Sequence, residues 1–180
     1  MIMRALLFSG LITLSGCKPQ EARRPITQNR ADKYEKSVER TKKRYNAEVE
    51  AIQSIITTLP ELNFSPSQSG FWFTTFESDD PEAYRPQFGD TVIFDLSIAN
   101  LSGNLIYPEI ATANQVYVMD QEVLFKGLRE GLKLMSVGKK AEFLIPSQLA
   151  YGYYGDGDLV GPNLPLRCKV HLKKITQNKN

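Results

Sequence analysis

His171 is the only histidine of this 180-residue chain, and Cys17 and Cys168 are its only cysteines, so the parts for proton transfer and thiol chemistry are few. His171 alternates with Val170 and Leu172 in a run of period two, which places it on the polar face of a strand as a surface residue rather than a ligand. Cys168 falls on the opposite, apolar side of the same run and points toward a core. No Ser/His/Asp or Cys/His set can be assembled from that arrangement. Asp156-Gly157-Asp158 has two features of a calcium loop and lacks the rest, so it reads as a turn. No glycine loop opens a helix in the way that cradles phosphate. Neither a metal site nor a cofactor is expected. A net charge of +2 is too small to imply a nucleic-acid partner, and no arginine-rich helix or zinc spacing points to one.

Cys17 stands in a different setting. Met1 to Arg4 gives a short positive start, and Ala5 to Leu14 an apolar run of signal-peptide length, too short to span a bilayer. The run ends in Leu14-Ser15-Gly16-Cys17, which resembles the bacterial lipobox. That resemblance implies a diacylglycerol on the Cys17 thiol and cleavage before it, leaving residues 1–16 as a lipoprotein signal peptide. Two or three acyl chains anchor stably, since each buried methylene contributes about 0.8 kcal/mol. Lys18 rather than aspartate follows the cysteine, which implies the outer membrane, periplasmic side, as the place in the cell envelope. Cys168 is then left as a free thiol. Residues 17–30, polar and bearing Pro19, Arg23, Arg24 and Pro25, read as the lipidated cysteine and its tether.

The elements that position any chemistry come next. Across residues 31–60, Tyr34, Val38, Tyr45, Val49, Ile52, Ile56 and Leu59 form one stripe of a helix of period 3.6. Asp32 with Glu35 suggests a capping box, and Pro60 stops the helix. This helix serves as a stalk packed on its own domain, or as a docking surface. Beyond the turn-forming Ser65 to Gly70 the period becomes two. Phe71 to Phe76 suits a strand buried on both faces, and Glu77 to Gln87 an acidic connection. Val92, Phe94, Leu96 and Ile98 mark a strand buried on one side, Val116 to Val118 a brief one, and Ala141, Phe143 and Ile145 another. Leu166, Cys168, Val170 and Leu172 alternate with polar residues in the clearest strand of the chain. Leu124, Leu128, Gly131, Leu132 and Met135 have helical spacing, closed by Gly138. Antiparallel strands with one short late helix predict an α+β domain over residues 70–176, a curved antiparallel sheet wrapped over that helix and preceded by the N-terminal one.

Leu128 to Gly138, Ala141 to Pro146, Leu149-Ala150-Tyr151-Gly152, Gly161 to Leu166 and Gly89-Asp90-Thr91-Val92 together resemble the FKBP prolyl-isomerase family across residues 89–175. The Arg23-Arg24-Pro25 tether, Ser69 to Trp72 and Tyr151 to Asp156 resemble, more narrowly, the gliding-motility-associated FKBP lipoproteins of Bacteroidetes. The family resemblance implies rotation about X-Pro bonds without nucleophile, metal or cofactor. Position by position, it implies that the Tyr151 hydroxyl donates to the substrate carbonyl and that the Phe125 amide is a second donor. Leu124 pairs with Phe125 before the helix, and Leu128 and Cys168 form the floor where the family carries aromatics. Leu96 and Ile106 stand at aromatic wall positions, Tyr107 at the family's acidic position, and Leu159 and Val160 at the loop aliphatics. Asp95 faces away from Leu96 across the strand and does not restore the carboxylate. These substitutions imply an apolar but shallower pocket.

The reading is therefore a lipid-anchored isomerase or folding factor, acting on proline-containing segments of exported proteins in a motility or secretion setting. The oligomeric state is left open. Two alternatives stand beside it: a peptide-binding chaperone without turnover, and a structural lipoprotein subunit that works through the residue 31–60 helix.

Overall fold

The structure is a computed structural model that describes residues 30–75 and 82–178. Expectations for the signal peptide, Cys17 and most of the tether, and for Phe76 and the first residues of the acidic connection, lie outside the described residues.

Helix α1 runs from Arg30 to Thr58. It begins before Asp32, which therefore sits inside the first turn rather than capping it, where its charge suits the helix dipole. The helix stops where the residue before Pro60 can no longer hold helical geometry, Leu59 taking φ −121° and ψ 60°. The apolar stripe is only half used. Ile52 is fully buried, whereas Tyr34 and Val38 are largely exposed, so α1 packs on the domain through its C-terminal half.

Seven strands follow: β1 (Ser65–Pro66), β2 (Trp72–Thr75), β3 (Thr91–Asn100), β4 (Leu105–Tyr107), β5 (Gln115–Val118), β6 (Lys140–Ile145) and β7 (Leu166–Thr176). They form one antiparallel sheet in the order β1-β2-β6-β7-β3-β4, with β5 also pairing β3. The register of β3 shifts between Ile93 and Phe94 against β7, and between Ile98 and Ala99 against β4. Such irregularities add twist and curl the sheet. Helix α2 (Lys126–Leu132) lies in the hollow and buries Gly127, Leu128, Gly131 and Leu132. The α+β reading of the sequence is the fold observed.

The alternation of β3 and β7 works as expected, with Val92, Phe94, Leu96, Ile98, Cys168, Val170 and Leu172 in a single core. Two details differ. The outer face of β3 is not simply solvent, because Asp95 and Ala99 are buried there as well. In β5 the inward residue is Tyr117, and Val116 is largely exposed. No helix among the described residues is long and apolar enough to cross a membrane.

Candidate functional site

The site is built where three segments meet over the core: the entry to α2, the loop after β6, and the 155–160 loop facing β4. At the first, Phe125 is extended (φ −63°, ψ 142°), and its carbonyl accepts the N–H groups of Leu128 and Arg129 at 3.2 and 3.1 Å, which starts the helix. Among the described residues the Phe125 N–H has no acceptor. Its ring lies 4.9 Å from that of Tyr151, tilted by 49°. Aromatic pairs at such spacing fix each other's rotamers.

Tyr151 follows a 3-10 turn (Ser147–Leu149) that ends β6. Its ring packs against the core, yet its hydroxyl makes no hydrogen bond among the described residues. Burial, then the nearby Asp156 carboxylate and the Cys168 thiol, raise its pKa above the ordinary tyrosine value. The group is thus a neutral hydroxyl with a proton to donate.

At the third segment, the Tyr107 hydroxyl donates to Asp156 at 2.7 Å, lies 3.2 Å from Asp158, and accepts the Leu159 N–H at 3.4 Å. The other Asp156 oxygen accepts the N–H groups of Asp158 and Val160 at 2.8 and 2.9 Å. Asp156 also donates its own N–H to the Val160 carbonyl at 3.1 Å. The hydrogen bond to Asp156, with some burial, pushes the Tyr107 pKa up to about 12. Gly155 turns the chain at φ +72°, with the Val160 carbonyl so close that a β-carbon would collide. The Asp-Gly-Asp segment is a turn, as expected, and it is also the clasp that closes the loop on Tyr107.

Leu96, Leu128, Val160 and Cys168 lie in the interior beneath these segments, and Phe125 is nearly as deep. Ile106, Tyr107, Leu124 and Tyr151 are partly buried against the same core, and Leu159 stands out at the rim, 58% exposed. Burial pushes the Cys168 thiol far above its ordinary value, which makes it an apolar filler rather than a nucleophile. Asp95 faces the opposite side, bonded to the Asn114 N–H at 2.8 Å and to Lys173 at 2.6 Å. Asp156 is the residue the sequence reading missed. It brings a carboxylate to the Tyr107 hydroxyl from the loop rather than from across the strand.

The model of the FKBP-type peptidyl-prolyl cis-trans isomerase family matches residues 82–173. The chain belongs to that family. A probable FKBP-type isomerase, FkpA, of Neisseria meningitidis serogroup B is 37% identical over 97 residues, covering 54% of this chain and 31% of that protein. FKBP11 of Bos taurus is 31% identical over 99 residues, covering 55% of this chain and 47% of that protein. The outer membrane protein MIP of Legionella longbeachae is 29% identical over 91 residues, covering 51% and 39% respectively. The chain spans less than half the length of each of these relatives. The crystal structure of FkpA from Escherichia coli superposes with a TM-score of 0.61 at 22% identity, covering 78% of this chain and 64% of that one. A prolyl isomerase from Pseudomonas syringae does so with a TM-score of 0.61 at 23% identity, covering 76% of this chain and 96% of that one. These two likenesses concern the fold. Helix α1 precedes the stretch matched by the FKBP family model.

Proposed function

We propose that this chain is a peptidyl-prolyl isomerase and folding factor for exported proteins, held to the bacterial envelope by a lipid on Cys17. The observation that carries the activity is the pair of unspent donors, the Tyr151 hydroxyl and the Phe125 N–H, above an apolar floor. Rotation about a peptide bond faces a barrier of about 18–20 kcal/mol, because resonance favours the planar, more polar amide. Apolar surroundings disfavour that planar form relative to the twisted one, while fixed donors hold a neighbouring carbonyl as the rest of the peptide turns. Every ~1.4 kcal/mol removed from the barrier is a tenfold gain in rate. Catalysis of proline-tetrapeptide isomerisation by the purified chain, reduced in Tyr151→Phe, is the expected result. A rate at background for both proteins would remove the enzyme reading.

A second reading, a peptide-binding module without turnover, is favoured by Leu96, Leu128 and Cys168, buried aliphatic or thiol groups at positions where the sequence resemblance implies aromatics. Suppressed aggregation of an unfolded client, with no isomerisation, would select it.

The anchor rests on Leu14-Ser15-Gly16-Cys17, and one relative's designation as an outer membrane protein agrees with an envelope setting. Mass spectrometry of the chain from membranes should find an acylated Cys17, and Cys17→Ser should release the protein to the soluble fraction. The narrower resemblance, through Arg23-Arg24-Pro25 and Tyr151 to Asp156, makes gliding motility the proposed setting, and normal gliding after deletion of the gene would discard it.

A further inference from the structure

Tyr151 needs a fixed peptide on either side of it, and the hydrogen bonds that supply one lead out of the FKBP domain. The Gly152 N–H donates to the Ser147 carbonyl at 2.9 Å, and the Ala150 N–H donates to the same carbonyl at 3.1 Å. Both neighbours of Tyr151 are thus hung on Ser147. Ser147 in turn is held by helix α1. Its N–H donates to one oxygen of Glu48 at 2.8 Å and its hydroxyl to the other at 2.7 Å. Glu48 is only 8% exposed, a buried carboxyl whose hydrogen bonds all run to this one residue. A second strap runs through Asn163. Its N–H donates to the Gly152 carbonyl at 2.7 Å, and its side-chain oxygen accepts from Arg44 at 2.6 Å, one turn earlier on α1.

We propose that helix α1 is a brace for the catalytic loop, with Glu48 and Arg44 as positioning residues that fix Tyr151 from outside the family domain. This rests on the isomerase reading for its effect on rate, though not for its effect on loop order. Burying a carboxyl costs free energy unless its bonds are made, so its placement against Ser147 is selective for one loop geometry. Small displacements of a catalytic donor lower turnover more than they lower binding, because the donor's alignment matters most in the transition state.

The test uses Glu48→Ala, Glu48→Gln and Arg44→Ala in the full chain, each read by isomerisation kinetics and by amide hydrogen exchange. Glu48→Ala should lower kcat about tenfold with KM little changed, and speed exchange of the Ala150 and Gly152 amides by a similar factor. Glu48→Gln should recover most of both, since its amide can accept the Ser147 N–H and donate to the Ser147 oxygen. A merely structural Glu48 would lower the melting temperature and leave kcat per folded molecule alone. Arg44→Ala, on the surface and expected to fold, should speed exchange of the Asn163 amide and lower kcat by about twofold. Unchanged exchange at Ala150, Gly152 and Asn163, or a Gln variant no better than the Ala one, would overturn the brace. If the unmodified chain has no isomerase activity, it is the isomerase reading that fails, and exchange alone then decides for or against the brace.

Discussion

At Tyr151 and Asp156 the arrangement of hydrogen bonds decides what a single substitution can do. The Tyr151 hydroxyl has no internal partner among the described residues, so Tyr151→Phe leaves no buried group unsatisfied. Its effect should fall on catalysis, with kcat/KM reduced about five- to tenfold for one lost hydrogen bond, and stability unchanged within about 0.5 kcal/mol. Paired kinetic and denaturant measurements check both halves. Asp156 is the reverse case, because it accepts from Tyr107, Asp158 and Val160 at once. Asp156→Ala should cost about 1–2 kcal/mol by denaturant titration and loosen the loop bearing Leu159 and Val160, whereas Asp156→Asn should keep the two backbone bonds and lose less. Asp156 could not be found from sequence because its partner Tyr107 lies 49 residues away. Only the local half of its role, an aspartate bonding its own backbone two residues on, is written in Asp-Gly-Asp. Glu48 was hidden for a related reason: on a helix rich in Glu and Lys, nothing local separates the one buried carboxyl from its solvated neighbours. Tyr151, by contrast, sits in a short run, Leu149-Ala150-Tyr151-Gly152, that can be read directly from the sequence, although the contacts that fix it come from distant segments.

The elements were legible where one face is buried and the period repeats. Alternation over Leu166 to Leu172 and over Val92 to Ile98 marks β7 and β3, and the helical spacing of Leu124, Leu128, Gly131, Leu132 and Met135 marks α2. That helix is shorter than the spacing suggests and ends at Leu132, before Met135 and Gly138. Where long-range pairing makes the element, the signal fails. Strand β1 is two residues, Ser65–Pro66, read from sequence as turn punctuation, and it exists only because it pairs with Trp72 and Phe73 of β2. Likewise the stripe on α1 does not say how far the domain covers it, and Tyr34 and Val38 lie beyond that reach. The contact between α2 and β6 carries a sharper expectation. A β-carbon at Gly127 would lie 2.5 Å from an Ile145 methyl, and one at Gly131 would lie 2.8 Å from the Phe143 ring. Helix propensity alone favours alanine over glycine by about 1 kcal/mol, but overpacking of this kind costs about 1–3 kcal/mol. Gly131→Ala should therefore be destabilising despite its better propensity, by about 1 kcal/mol or more in denaturant titration. A stabilised Gly131→Ala variant would mean that Phe143 can move aside.

Over the whole molecule, three aspartates tie together segments far apart in the chain, and this gives stability a predictable dependence on acid. Asp90 accepts the Asn178 N–H at 2.8 Å, the Gln87 N–H at 2.9 Å and the Tyr84 hydroxyl at 2.7 Å, joining the start of β3 to the end of the described chain. Asp95 joins the outer faces of β3 and β7 through Lys173, and Asp156 joins the 155–160 loop to β4. Burial alone would raise the pKa of each, but the hydrogen bonds outweigh it and hold all three below the ordinary aspartate value of 3.8. The unfolded chain therefore takes up these protons at a higher pH than the folded one. The stability they contribute is complete above about pH 5 and is lost as the pH falls below 4 and through the lowered folded values. Because the three clasps sit at separate places in the fold and share no partner, their losses should add. Denaturant midpoints measured from pH 7 to pH 2 should hold level and then fall below about pH 4, and substituting Asp90, Asp95 and Asp156 together by Asn should flatten that fall while lowering the midpoint at pH 7. A fall of unchanged steepness in the triple variant would show that other carboxylates govern acid unfolding and that these three clasps do not hold the sheet's edges and loops together.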